Sequence, residues 1–217
     1  VDVQGDRIEC EVVAHGRNSE RWSVDYIVLP GNTEEPEVWG ELDRVLERRW
    51  PHERGAKLSI RMMAVDQSFD AGRVYEWVRR HSPHQVVAVR GRDKMMTIVG
   101  APTPVEVSEG GRRLRRGLKL WFLGTGLLKS RLYAQLALEM PAGVGARPPP
   151  GWLHFPDYPE EWFKQLCAER FVTRTIGGFR RRRVSEWVKI RERNEAVDCH
   201  VYNLGAAAIA RKVPPRQ

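Results

Sequence analysis

The chain has 217 residues, 41% of them hydrophobic, with 36 Lys and Arg against 28 Asp and Glu for a net charge of +8. Its three cysteines, Cys10, Cys167 and Cys199, show no C-x-x-C spacing, which argues against a disulfide framework or a structural zinc and fits a reducing compartment. No apolar run reaches membrane-spanning length and no signal peptide opens the chain, while the basic balance favours a nucleic acid or another polyphosphate partner.

The elements follow from hydrophobic period and turn chemistry. Asp2 lies in a strand-like opening, Val1-Asp2-Val3, and because the chain begins inside a strand it is expected to be a fragment lacking its natural N-terminal part. Ile8–Ala14 and Trp22–Val28 alternate as paired strands around a turn at Gly16-Arg17-Asn18. Glu34 to Trp50 carries Val38, Leu42, Val45, Leu46 and Arg49 at helical spacing, with Pro51 as its stop. Leu58–Val65 reads as one buried strand ending at Asp66, Ala71–His81 as a helix and Gln85–Arg90 as a short apolar strand. A hairpin turning at Glu109-Gly110-Gly111 is followed by a strand at Leu118–Leu123, a helix at Leu127–Met140 and a Pro/Gly-rich loop at Pro141–Pro150. Glu160–Arg170 reads as helix, Phe171–Thr175 and Val184–Ile190 as strands around an arginine-rich turn, and Glu195–Ala210 as the closing helix. The early alternation of strands and helices predicts an α/β fold, a mixed sheet with helices on its faces.

Three carboxylates stand out because each closes or interrupts an apolar stretch, where an acid is costly unless a cation offsets it. On a strand, Asp2 faces away from Val1 and Val3. Asp66 ends a strand, the place where open α/β sheets bind ligands. Asp198 shares a helical face with Glu195, three residues earlier. Carboxylate oxygens suit hard divalent cations, and two such ions serve phosphodiester hydrolysis. The ordinary alternative for each is a cap, a turn residue or a surface acid; Asp6, Asp70, Glu169 and Glu195 are reserves for which those ordinary roles are favoured.

Val1-Asp2-Val3-Gln4-Gly5-Asp6-Arg7-Ile8-Glu9 resembles the opening of the nuclease domain in phage large terminase subunits of the lambda type. Val65-Asp66-Gln67-Ser68, Leu153-His154-Phe155-Pro156, Gln165-Leu166-Cys167-Ala168-Glu169 and above all Arg193-Asn194-Glu195-Ala196-Val197-Asp198-Cys199 are similar to later segments of that family, in the same order. One departure is Gln67-Ser68 after Asp66, where the family commonly has a small residue and Gly. The resemblance implies an RNase H-like mixed sheet flanked by helices, with a hairpin insertion, over residues 1–211, then a loose tail at 212–217. It implies an endonuclease that cuts double-stranded phage DNA during genome packaging in the cytoplasm of the bacterial host. Asp2, Asp66 and Asp198 would then be the catalytic acids holding two Mg²⁺ or Mn²⁺ ions. It further implies as partners an upstream terminase ATPase domain, the small terminase subunit and the portal of the procapsid. The alternatives are a DNA-binding packaging module without catalysis, or another RNase H-like nuclease such as a junction resolvase.

Two further features bear on the polyanion. Gly124-Thr125-Gly126-Leu127-Leu128-Lys129-Ser130 approaches a phosphate-binding loop, but Leu128 stands where that motif needs Gly, so Lys129 is assigned to a DNA phosphate instead. Arg112, Arg113, Arg115 and Arg116 flank the hairpin, and Arg180, Arg181, Arg182 and Arg183 form an unbroken run. Both clusters are assigned to the DNA backbone, which arginine grips without reading sequence. The eight tryptophans are expected to pack the core and its edges, with Trp152 and Trp187 the two that could stack on bases.

Overall fold

The sheet begins with a meander whose register follows the alternation of its residues. In a computed structural model, which describes residues 1–105, 108–109, 112–113, 118–177 and 181–215, β1 (Asp2–Val3), β2 (Arg7–His15) and β3 (Arg21–Pro30) are antiparallel neighbours. Asp2 stands opposite Glu9, and a bulge falls between Val12 and Val13. The β2–β3 turn uses Asn18 at φ 54°, a left-handed conformation that an Asn side chain tolerates better than most.

The remaining elements, in chain order, are α1 (Pro36–Glu47), β4 (Arg49–Pro51), β5 (Lys57–Ser59), β6 (Met63–Asp66), α2 (Ala71–Arg79) and β7 (Val86–Gly91). They continue with β8 (Thr103–Pro104), β9 (Ser108–Glu109), β10 (Arg112–Arg113), β11 (Lys119–Leu123), α3 (Thr125–Leu136) and β12 (Leu153–His154). The chain closes with α4 (Glu160–Leu166), β13 (Glu169–Ile176), β14 (Arg182–Lys189) and α5 (Glu195–Lys212). β6, β7 and β11 run parallel, and β6 is buried at every position, as a central parallel strand should be. β9 and β10 pair antiparallel, and the expected turn at Gly110-Gly111 lies outside the described residues.

Two hydrogen bonds join the halves of the sheet. The Val1 amino group donates to the Ala64 carbonyl (2.9 Å) and the Asp66 N–H to the Val1 carbonyl (3.0 Å), the pattern of a parallel ladder. β1 therefore lies beside β6. Val1, Val3 and Val65 face the core under α1 and α2, with Trp39, Leu42, Val74 and Trp77. Asp2 and Asp66, one residue away on each strand, face the other side with Ala64. There α3, α4 and α5 pack through Leu128, Leu132, Trp162, Leu166, Val197, Val201 and Ile209. α5 is buried on nearly all sides, the signature of a central helix rather than an amphipathic one.

Several expected boundaries move. α1 stops at Glu47, because Arg48 is already extended (ψ 149°) and Arg49–Pro51 pairs with Lys57–Ser59; Trp50 is buried from a strand, and Arg49 is exposed. The single strand Leu58–Val65 is two strands. Arg61 holds the break between them by donating to the carbonyls of His84 (2.8 Å), Ala210 (3.3 Å) and Val213. α3 begins at Thr125, and α4 ends at Leu166, which places Glu169 on a strand instead of a helix. Just past α5, the Pro214 carbonyl accepts a hydrogen bond from His84 Nδ1 at 2.8 Å.

Candidate acidic centre

Asp2, Asp66 and Asp198 come together where β1 and β6 meet the first turn of α5. Asp2 is buried and accepts a hydrogen bond from Gln4 Nε2 at 2.6 Å. Burial pushes its pKa up to about 6, against the Gln4 bond and with further repulsion from Asp66 and Glu195. Asp66 is buried too; Ser68 donates to it at 3.1 Å and the Tyr202 hydroxyl bonds to it, yet burial still raises its pKa. Asp198 keeps some contact with solvent and accepts from Asn194 Nδ2 at 2.8 Å. Its pKa rises to about 7, first from burial and then from Asp2, Glu169 and Asp66, with Lys129 opposing. The N-terminus of α5 points its partial positive charge at this acid.

Neighbouring acids are treated differently. Glu9 is fully buried but takes Arg7 Nε and Arg193 Nη2, each at 2.6 Å, and the Tyr26 hydroxyl. Glu195 takes Arg7 Nη2 at 2.7 Å and Arg193 Nε at 3.3 Å. Two guanidinium groups thus neutralise Glu9 and Glu195, while among the described residues the hydrogen-bond donors to Asp2 and Asp66 are neutral, with the Val1 ammonium the cation that eases both. Asp70 caps α2 by accepting from the Arg73 N–H (3.1 Å), and Asp6 pairs with Arg7 at the surface.

Glu169 belongs to the centre rather than the surface. Lys129 Nζ lies 2.7 Å from its Oε2, and Asn194 Nδ2 bridges from Asp198 to Glu169 Oε1 at 3.2 Å. The Tyr202 hydroxyl is pushed upward first by burial and then by the negative charge of Asp66, Asp198 and Asp2. Tyr202 has no role assigned from the sequence, although its spacing of four from Asp198 puts both on one face of a helix. Glu169, a reserve acid in the sequence, stands at the start of β13 because α4 ends at Leu166.

The glycines of the Gly124–Ser130 segment have a packing role. A Cβ on Gly124 would lie 2.2 Å from the Thr97 carbonyl oxygen, and one on Gly126 would lie 2.3 Å from that of Asp93. Thr125 Oγ1 donates to Asp93 at 2.6 Å. The loop after β7 therefore occupies the space that a phosphate would need. Lys129, buried in the second turn of α3, faces the acids.

Of the assigned arginines, Arg181, Arg182 and Arg183 lie exposed on the β13–β14 ribbon, which leaves the body at Glu169. Trp187 bolts that ribbon to α3, stacked on Tyr133 (4.9 Å between centroids) and donating to the Gly126 carbonyl (3.2 Å). Arg112 and Arg113 stand on β10, with side chains outside the described residues; Arg115, Arg116 and Arg180 also lie outside them.

Hard carboxylate oxygens, more negative charge than the local cations neutralise and a neutral second ring of Gln4, Ser68, Asn194 and Tyr202 fit a hard divalent cation such as Mg²⁺ or Mn²⁺. Among the described residues no three His, Cys, Asp or Glu side chains form a group that could hold a metal ion as they stand. Asp2 and Asp66 lie side by side at the C-terminal end of β6. A groove of about 990 Å³ along Cys10, Trp50, Ala206 and Ala210 reaches Val1 and Tyr202 but is lined by none of the three acids.

The chain is 29% identical over 215 residues to the "Terminase, large subunit" of Escherichia phage lambda, covering 97% of this chain and 32% of that protein. It is 28% identical over 215 residues to the protein of the same description from Enterobacteria phage P21, with the same coverage. The chain thus spans about a third of the length of these relatives. No solved structure matches. The sequence profile described as "Terminase large subunit gpA, endonuclease domain" matches residues 1–216, and the chain belongs to that family.

Proposed function

We propose that this chain is a metal-dependent endonuclease domain that cuts double-stranded phage DNA during genome packaging. The observation that carries the reading is the contrast among buried acids: Glu9 and Glu195 have guanidinium partners, whereas Asp2, Asp66 and Asp198 crowd together with their charge largely uncompensated. Such a centre stabilises a bound cation, and the family description names an endonuclease domain. Asp2, Asp66 and Asp198 would hold two Mg²⁺ or Mn²⁺ ions, which when bound stabilise charge on phosphate oxygens and acidify water. Tyr202 and Ser68 orient Asp66, Gln4 orients Asp2, and Asn194 orients Asp198. Lys129 limits the repulsion among the acids through Glu169 and Asp198. In hydrolysis, water attacks the scissile phosphorus in line, the new P–O bond forms, and the sugar oxygen leaves with a proton.

A three-stranded antiparallel edge joined to parallel strands, with the acids at the junction, supports an RNase H-like fold. By family, the partners would be an upstream ATPase domain, the small terminase subunit and the portal of the procapsid, in the host cytoplasm. The rival reading, a DNA-binding module without catalysis, draws on the acids' arrangement, since among the described residues no three His, Cys, Asp or Glu side chains form a group that could hold a metal ion as they stand. Supercoiled plasmid with Mg²⁺ or Mn²⁺ decides between them. The nuclease nicks and linearises it, and Asp2→Asn and Asp198→Asn do not. Plasmid bound but intact would favour the module, and cutting confined to branched junctions would favour a resolvase. Unimpaired cutting by either variant would remove the acids from the mechanism.

A further inference from the structure

Phe69 is a large apolar side chain left 58% exposed at the same edge of the sheet as the acids. It follows Asp66 by three residues, past Gln67, whose N–H extends the ladder to the Val89 carbonyl (3.1 Å), and Ser68, which donates to Asp66. Its ring rests on Gly5, in the turn three residues beyond Asp2, where an added Cβ would come 3.1 Å from Cζ. Phe69 thus spans the two loops that leave β1 and β6, the neighbouring strands carrying Asp2 and Asp66.

A second exposed apolar group lies on the loop after the neighbouring strand. β7 runs parallel to β6 and ends at the same edge, with Asp66 opposite Val89. The loop that follows presents Met96, 87% exposed, between the exposed Arg92 and Lys94 on one side and Thr97 on the other. That loop is held against α3 by the close approach of Gly124 and Gly126, so it is a fixed platform. Isolated exposed hydrophobic residues are common and need no explanation. Two on adjacent loops, flanked by cations and next to buried acids, form a surface suited to nucleic-acid bases over a phosphate backbone. Three residues of extended chain reach at most about 10 Å, which keeps the ring within about three base steps of a phosphate at Asp66.

We propose that Phe69 is a base-step wedge, resting on the nuclease reading above. With the duplex laid along the acidic edge, the ring enters a groove beside the scissile phosphate and partly unstacks the adjoining step. Met96 makes the second apolar contact, and the resulting kink brings the phosphate down to Asp2 and Asp66. Apolar side chains that enter base steps in this way bend duplexes without reading sequence. Phe69 is a positioning residue in this scheme.

The test uses Phe69→Ala and Phe69→Leu in the whole chain, with melting temperatures within a few degrees of wild type as a check, since the ring is exposed. The first readout needs no metal: a short duplex carrying several 2-aminopurines, titrated with protein in EDTA. Wild type should raise the 2-aminopurine fluorescence. Phe69→Ala should leave it at the free-duplex level with duplex affinity, by anisotropy, within about threefold; Phe69→Leu should restore part of the rise. The second readout is cleavage with Mn²⁺ of a fully paired duplex and of the same duplex with a three-nucleotide mismatch bubble. Phe69→Ala should cut the paired duplex at least tenfold more slowly and the bubble within threefold of wild type. Equal cutting of the paired duplex, equal slowing on both substrates, or no fluorescence rise with wild type would each overturn the wedge. If wild type cuts neither substrate, the nuclease reading fails, and the fluorescence readout alone then decides for or against the wedge.

Discussion

Lys129 Nζ lies 2.7 Å from Glu169 Oε2, in a place where the two side chains are only 10% and 5% exposed. This contact ties the second turn of α3 to the first residue of β13, and so joins the body of the protein to the arginine-bearing ribbon. Lys129 also counters the repulsion on Asp198. It therefore serves the acidic centre and the ribbon together, and a phosphate near it would compete with Glu169 for the ammonium group.

Replacing Lys129 by Ala strands Glu169 as a buried anion among other anions. The expected destabilisation is about 3–5 kcal/mol, read by urea denaturation, with slower plasmid cleavage. Adding Glu169→Gln should recover most of the stability, because the unpaired charge is gone. A single variant as stable as wild type would mean that the pair is open to water in solution.

The acids should make the metal-free protein less stable as pH rises. Asp2 and Asp198 have folded pKa values raised to about 6 and about 7 from an ordinary value of 3.8. Between those limits the folded state binds more protons than the unfolded one, so their stabilising contribution is complete below pH 3.8 and is lost as pH climbs through 7. Asp198→Asn removes one of these titrations. Its melting temperature should match wild type near pH 4 and exceed it by a widening margin up to pH 7, the relative stability growing by about 1.4 kcal/mol for each pH step of one. Adding Mn²⁺ at pH 7 should raise the wild-type melting temperature and leave that of the variant nearly unchanged. A variant less stable than wild type at pH 7 without metal would assign Asp198 a structural role.

Changing Arg181, Arg182 and Arg183 to Gln should weaken binding to every duplex about equally. Each arginine that meets a phosphate contributes about 0.9 to the slope of log affinity against log salt, so the slope should flatten by up to about 3. An unchanged slope would shift the contact surface to the Arg112–Arg116 hairpin.

Gly126→Ala tests the reading of the segment before Lys129. In most helices Ala is more favourable than Gly by about 1 kcal/mol, but here the new Cβ would sit 2.3 Å from the Asp93 carbonyl oxygen. The variant should melt at a lower temperature than wild type, and neither protein should turn over ATP. ATP hydrolysis abolished by Gly126→Ala would restore a nucleotide-binding role to this loop.

Much of the architecture could be read locally. The period of two in Val1-Asp2-Val3 placed Asp2 on the face opposite its valines, and that is the face α5 covers. Alternation and turn residues located the β2–β3 pair, and apolar period located α1, because these signals depend only on near neighbours in the chain. Boundaries failed where a distant contact decided them. Arg61 splits one expected strand into two by binding carbonyls as far away as Val213, and Trp50 leaves the helical pattern to be buried from a strand.

The sequence by itself determined the family and the net positive charge, and it put forward three candidate acids, since these reside in residue identity, order and composition. Which acids have a guanidinium partner was decided only by the tertiary structure. Glu195 takes Arg7, 188 positions away, and Glu9 takes Arg193, 184 positions away. Glu169 gains a place at the centre because β13 starts where Lys129 can reach it. A carboxylate's charge depends on its burial and on the partners within a few ångströms, and long-range folding sets both.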